Sequence, residues 1–506
     1  MGTLQKIISA AILAIALAFS GSPQLLRAQV YTDLHDFDCT VEGCSPTYPE
    51  ILAQGRDGNL YGTVDSGGTS GMGTVFKMTP MGVVTTIHNF SGPDGQNPDG
   101  GLVLGTDGNF YGTTRFGGAS NLGTVFKITP AGVLTTLHSF SGSDGSEPRP
   151  GLVQGKNGNF YGTTCGFNAP WTAYSITSAG KFKTINSTSD VRIAACSSAP
   201  LTLGSDGNLY GTTMAGGPTE QGTVFRMTPA GTIKALYDGD FANGSNLVGA
   251  VTQGNDGLLY GTTSANGSGG FGVVFKLSLT GKYAKLHEFG LDLIHDGMDP
   301  FAGIVAASDG KFYGATSAGE SGGSVPNGNL FSVTSSGTYN LLYAFDGTHG
   351  YLAQTTPMQH TNGKLYGVAE GGGAHSGGVI YSLDNGAPAF VSLVIRWGSA
   401  GQAVEILGQG FTGTSRVKFG TGSATFTVVS DTYLTATVPS NGSTGFVTVT
   451  TPFGTLTSSQ KFFVVPVVCS TSPSAVRWAL RSPSLVRDFS ERPRLRSVAS
   501  RPRASR

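Results

Sequence analysis

Charge is what this 506-residue chain lacks most: Asp, Glu, Lys and Arg make up only 12% of it. An average soluble protein carries roughly 25%. The formal net charge is zero, from 31 basic and 31 acidic residues, but the basic ones are unevenly placed. Nine arginines crowd the last 30 residues. Without those nine, Lys6 and Arg27, the 31 basic residues fall to 20, while the 31 acids lose only Asp488 and Glu491. The body of the chain is therefore mildly acidic, which argues against nucleic acid as a partner. Cysteine is scarce too, with five in the chain. Five is too few for a disulfide scaffold, and no CxxC or neighbouring His pair offers metal-site spacing. Long apolar runs are missing after residue 19, and a membrane span needs about 20 such residues.

The one apolar run, residues 7–19, follows Lys6 and precedes small residues up to Ala28. That order reads as a secretory signal over residues 1–28 and places the mature chain outside the cytoplasm. An oxidising compartment suits the cysteines. Cys165 and Cys196 bracket the most divergent part of the chain and are expected to form a disulfide, with Cys39 and Cys44 a second candidate pair. From residue 466 onward the composition turns to Arg, Ser and Pro without strand periodicity. That tail reads as disordered or non-native; the alternative is a basic arm touching anionic envelope polymers.

Glycine, at 78 residues, is what the chain has in excess, together with aromatics and Thr/Val runs. These occur in a repeat. The string DGNFYGTT (residues 107–114) returns as DGNLYGTV, NGNFYGTT, DGNLYGTT, DGLLYGTT, DGKFYGAT and NGKLYGVA. Its tyrosines, Tyr61, Tyr111, Tyr161, Tyr210, Tyr260, Tyr313 and Tyr366, are spaced by 50, 50, 49, 50, 53 and 53 residues. One unit predicts four strands: GLVLG, NFYGTT, GTVFKIT and VLTTLHSF. Asp-Gly or Asn-Gly between the first two is a tight-hairpin signal, because both turn residues tolerate positive φ. Adjacent Phe110 and Tyr111 must face opposite sides of their strand, so both faces of the small sheet are expected to be buried. Sheets packed face to face around an axis satisfy that, with about 40–50 residues per blade.

The array's ends predict closure. VYTDLHDF (residues 30–37) is a fourth-strand string with no unit before it, and the last unit leaves through Asn385 without making a fourth strand. The expected fold is all-β: a seven-bladed β-propeller over residues 30–385, with the N-terminal strand completing the last blade. Residues 387–465 lose the period and read as short alternating strands, the pattern of a small immunoglobulin-like β-sandwich.

Two families match these motifs. The repeats resemble the GloVer (Gloeo/Verruco) tandem-repeat family through G-L-V-x-G-x-D-G-N-x-Y-G-T-T, G-T-V-F-K and L-H-x-F. The second module resembles an IPT/TIG domain at VEILGQGF, SDTYLTATVP and VTVTTPFG, but opens with Ile395-Arg396-Trp397 where a proline-serine-glycine turn is usual. The resemblance implies an exported bacterial protein, secreted, periplasmic or on the cell surface, and carries no catalytic residues, cofactor or metal.

Two enzyme-like strings lack their context: residues 267–272 fit a dinucleotide fingerprint and residues 319–323 a nucleophile elbow, but neither leads into a helix. His35, His88, His138 and His287 share one slot of the fourth strand and read as blade packing; His360 is assigned to a loop. The hairpin acids are turn chemistry rather than calcium ligands. By topology, one side of the disc carries the hairpins and the other the longer loops, with Asp94, Phe116, Asp144, Trp171 and Asp296 as candidate ligand-binding residues. The expected function is a monomeric, non-enzymatic scaffold binding an extracellular polymer or glycan. The alternative is a carbohydrate-active lyase or hydrolase, marked by two carboxylates and a basic residue at the mouth of the axial channel.

Overall fold

The computed structural model describes residues 29–39, 42–43, 52–165, 171–188, 199–292, 296–319 and 327–466. The predicted signal segment, Cys44, Cys196 and the tail from residue 467 lie outside the described residues, as do His295 and most of the elbow-like string. Every regular element among the described residues is a strand.

Each of the first six repeats forms a four-stranded antiparallel sheet whose strands follow sequence order. In the second unit these are Val103–Leu104, Phe110–Thr114, Thr124–Ile128 and Leu134–Ser139. The first strand is only two residues long, shorter than GLVLG predicts, because its flanking glycines form the entry and the hairpin. The turn Thr106–Asn109 needs Gly108 at φ 81°, a backbone state open to glycine. Asp107 then clasps the turn: its Oδ1 accepts the Asn109 amide at 3.2 Å and its Oδ2 accepts the Tyr111 hydroxyl at 2.7 Å. The same Asp–Tyr clasp closes the hairpins at Tyr61, Tyr210, Tyr260 and Tyr313. In the third and seventh units Asn157 and Asn362 take the place of Asp and donate to Tyr161 and Tyr366 at 2.9 Å. Gly112 is required for a different reason: a Cβ there would sit 2.6 Å from Phe126 Cζ.

Phe110 and Tyr111 are both fully buried, on opposite faces. Phe110 stacks on Tyr61 of the preceding sheet at 4.1 Å between ring centroids, and Tyr111 on Phe160 of the following one at 3.8 Å. Thr113 Oγ1 adds a hydrogen bond to the Pro150 carbonyl of the next unit at 3.0 Å. Apolar clusters join each sheet to its neighbour along the chain. One further cluster unites Phe37, Tyr366 and Ile380 with Leu60, Phe76 and Met78, and so joins the seventh sheet to the first.

That seventh sheet draws on both ends of the array. Val30–Asp36 lies antiparallel beside Val379–Asp384, with Val30 opposite Asp384 and Asp36 opposite Val379. A register shift falls between Asp33 and His35, at the place where the other fourth strands carry theirs, as between Val125 and Phe126. The inner strands of all seven sheets, from Leu52 to Met358, line a common cavity of about 300 Å³. The arrangement is propeller-like.

The second module packs two four-stranded sheets over Val404, Ile406, Val417, Phe419, Leu434 and Val449. It lies against the hairpin side of the repeats. Arg56, beside the first hairpin, pairs with Glu405 at 2.7 Å, and Thr432 Oγ1 donates to the Arg56 carbonyl at 2.8 Å. Gln409 Nε2 donates to Thr361 at 2.9 Å, and Asn255 Nδ2 donates to the Ser459 carbonyl at 2.9 Å. Trp397 enters the core shared by the third and fourth sheets. His360, expected in a loop, is fully buried here, with Nε2 at 3.0 Å from the Gly58 carbonyl.

Candidate functional site

The predicted ligand residues fall into three groups around the loops opposite the second module. Asp94 and Asp144 do lie in the connections between sheets, but both are committed to the fold. Asp94 Oδ2 is 2.8 Å from His88 Nε2, and its Oδ1 accepts the Ser91 amide and hydroxyl, each at 2.9 Å. Asp144 repeats this with His138 at 2.8 Å and with Ser141. Burial alone would raise either carboxyl, but these donors outweigh it and hold both below the usual carboxylate range.

Asp296 and Trp171 correct the expectation of exposed loop residues. Asp296 is only 5% exposed and sits 3.1 Å from His287 Nε2. Trp171 is 1% exposed, because the third strand of the eroded unit begins with it at Trp171–Ile176. There it meets Phe225 edge-on at 6.0 Å. Phe116 is half-buried, with the Arg115 guanidinium 4.5 Å above its ring.

The histidines fit their expected role as blade packing. His138 stacks on Phe182 of the next sheet at 3.7 Å, and His287 on Tyr339 at 4.0 Å. Tyr237 and Tyr343 occupy the slot elsewhere and stack on Tyr283 and Tyr31 in the same way. His138 and His287 thus each have one face on a neighbouring sheet and an edge on their own loop's acid. Of the cysteines, Cys165 is disulfide-bonded, while Cys196, its expected partner, lies outside the described residues. The expected Cys39–Cys44 pair likewise has one member outside them.

Sequence reasoning missed two features of this side. Phe241, in the connection after the fourth sheet, is 65% exposed. The second is a group of charges where the second strands end and the inner strands begin. Asp99 is 3% exposed, with Oδ2 lacking a hydrogen-bond partner, and Asp65 Oδ1 lacks one too. Burial, reinforced by Asp65, pushes the Asp99 carboxyl up to about 7, though Arg115 and Arg149 counteract it. Burial pushes Asp65 up to about 6. Arg115 itself pairs with Glu147 at 3.1 Å. A register comparison between units would have revealed the group: Asp99 and Arg149 precede inner strands where other units have Val248 and Phe301. Among the described residues no three His, Cys, Asp or Glu side chains gather in a metal-holding group.

Residues 24–169 and 165–381 match the model of the Gloeobacter/Verrucomicrobia repeat, and residues 388–464 match that of the IPT/TIG domain. No curated protein matches the chain. Among solved structures it is similar to a fungal alcohol oxidase of the AA5 family in complex with copper, at 14% identity. That match covers 84% of this chain and 98% of the oxidase, with a TM-score of 0.48. It is also similar to the BP39L lectin from Burkholderia pseudomallei, at 10% identity over 66% of this chain and 96% of the lectin, with a TM-score of 0.48. At such identities these likenesses say nothing about activity.

Proposed function

We propose a function from one premise: the chain belongs to the Gloeobacter/Verrucomicrobia repeat family. It is an exported bacterial scaffold, a monomer at the cell surface, in the periplasm or secreted. Its seven sheets are the blades of a ring closed by the strand Val30–Asp36, and its loop side binds an extracellular polymer, most simply a glycan, without turnover. One observation carries the non-enzymatic reading. The loop acids and histidines that would do chemistry are paired with each other, as in His88–Asp94, His138–Asp144 and His287–Asp296. Aromatic surface remains on that side at Phe241 and, half-buried, at Phe116. Aromatic faces stack on sugar rings, and a rigid array of loops adds avidity along a polymer.

A second reading, a carbohydrate-active lyase or hydrolase, has one observation in its favour. Asp65 and Asp99, with raised pKa values, lie near Arg115 and Arg149 on the loop side. Asp99 is closed off from solvent, which favours the first reading.

A glycan array followed by product analysis separates the two. Binding without shortened products, weakened about tenfold by Phe241→Ala (about 1.4 kcal/mol), is the expected result. Binding untouched by both Phe241→Ala and Phe116→Ala would move the site off these loops. Release of shortened sugars, abolished by Asp99→Asn, would replace the scaffold reading by the enzyme.

A further inference from the structure

At the hairpin end of the inner strands, the opening segment of the second module roofs a cavity of about 310 Å³. Its walls mix apolar and polar side chains: Val103, Val153, Leu201 and Leu203 from the sheets and Leu393 and Ile395 from the roof, with Gln154, Gln253 and Gln460 among them. Three groups there carry a charge or an unmet donor. Trp397 Nε1 is buried without a hydrogen-bond partner. Arg396 donates from Nη2 to the Leu203 carbonyl at 3.1 Å, and no carboxylate among the described residues pairs with it: burial brings its pKa down to about 10, while Asp206 acts on Lys156 instead. Lys156 Nζ lies 4.8 Å from the centre of the Trp397 ring, which also carries the Arg396 guanidinium at 5.0 Å.

A half-buried cation without a paired carboxylate is unfavourable, and a buried N–H without an acceptor is costly. The Trp–Arg pair is also where this module departs from the usual opening of its kind. We propose that this cavity binds a small organic acid with an apolar body, its carboxylate held by Arg396, Lys156 and the Trp397 N–H. A carboxylate supplies the missing negative charge together with acceptors for guanidinium and indole. The apolar body lies along the axis. The cavity shares Val103, Val153, Leu201 and Thr202 with the 300 Å³ cavity lined by all seven inner strands, so the walls continue toward the loop side. Cavities of this size are at the small end of those that enclose a ligand. The acid is distinct from the polymer assigned to the loops, and the two proposals stand or fall separately.

Octanoate is the probe, with octanol as its uncharged counterpart, titrated into the full mature chain by calorimetry and by tryptophan fluorescence. Octanoate is expected to saturate a single site, with octanol at least tenfold weaker. Arg396→Gln should weaken octanoate at least tenfold, and Lys156→Ala, at an exposed position, about threefold. The proposal is overturned if octanoate shows no saturable binding, if octanol binds equally well, or if Arg396→Gln leaves the affinity unchanged. Should Arg396→Gln fail to fold, Lys156→Ala decides alone, and an unchanged octanoate affinity in that variant overturns the assignment.

Discussion

Replacing Asp107 tests how the hairpin clasp contributes, because the chain contains its own control. Asp107→Ala removes three hydrogen bonds: from the Asn109 amide, from Asn109 Nδ2 at 2.8 Å and from the Tyr111 hydroxyl at 2.7 Å. Hydrogen bonds to a charged acceptor contribute about 1.5–3 kcal/mol where buried. This carboxylate is largely open to water, so the expected cost is reduced to about 1–2 kcal/mol. Asp107→Asn should cost much less. In the third unit Asn157 still accepts the Asn159 amide at 3.2 Å while donating to Tyr161, and Asn362 does the same in the seventh. The two substitutions also differ in pH dependence. Burial opposes ionisation of Asp107, but its donors overcome that and hold its pKa below the usual range. The carboxylate's contribution is therefore complete above the unfolded value, near 4, and is lost as pH falls through the lower folded one. Urea unfolding of parent, Ala and Asn variants at pH 7 and pH 3 measures both effects. Equal losses for Ala and Asn at pH 7, or an Ala variant within about 0.5 kcal/mol of the parent, would refute the clasp.

Two further outcomes follow from the packing and the buried acids. Phe37→Ala should cost about 3–5 kcal/mol, as for any fully buried Phe, and deletion of residues 30–37 should destabilise the whole repeat array. A deletion variant that stays monomeric with an unchanged unfolding midpoint would reject closure by that strand. Asp99, with a folded pKa raised to about 7, stabilises the fold as the neutral acid. That stability is complete below about pH 4 and fades as pH rises through about 7. Asp99→Asn cannot ionise, so its advantage over the parent should grow between pH 5 and pH 8 by at most about 1.4 kcal/mol per unit. A constant difference across that window would show that Asp99 is already ionised in the folded chain.

What the sequence discloses here is local. Asp-Gly turns, alternating faces and a 50-residue period are consequences of nearby residues acting on one another, and the sheets follow them closely. The His–acid pairs were within reach too, since His88–Asp94 and His138–Asp144 share a six-residue spacing. The third such pair, His287–Asp296, hides behind a longer connection. Trp171 was misplaced because its unit has lost the GTVFK string that marks the third strand elsewhere. Arg396-Trp397 stood out as an irregularity, but its meaning depends on Leu203 and Lys156, about 200 positions away. No periodicity reports a contact of that range. Asp65 and Asp99 were not recognised as a group because packing across the first three sheets brings them near Arg115 and Arg149; aligning the units would have marked Asp99 and Arg149 as departures from the repeat.

The strand Val30–Asp36 has a consequence for the order of events during synthesis. Its partner, Val379–Asp384, is made some 350 residues later, whereas the other repeat sheets use strands from one stretch of about 40 residues. Six sheets can therefore form by local pairing as the chain appears, and only the last requires a very long loop to close. Until then Val30–Asp36 is an unpaired edge, able to recruit another chain's strand. Its alternation of Tyr31 and Leu34 with Asp33 and Asp36 keeps charge on that edge during the wait. Exchange of this strand between two chains is the misassembly the topology invites, and a closed dimer formed at high concentration would be its trace.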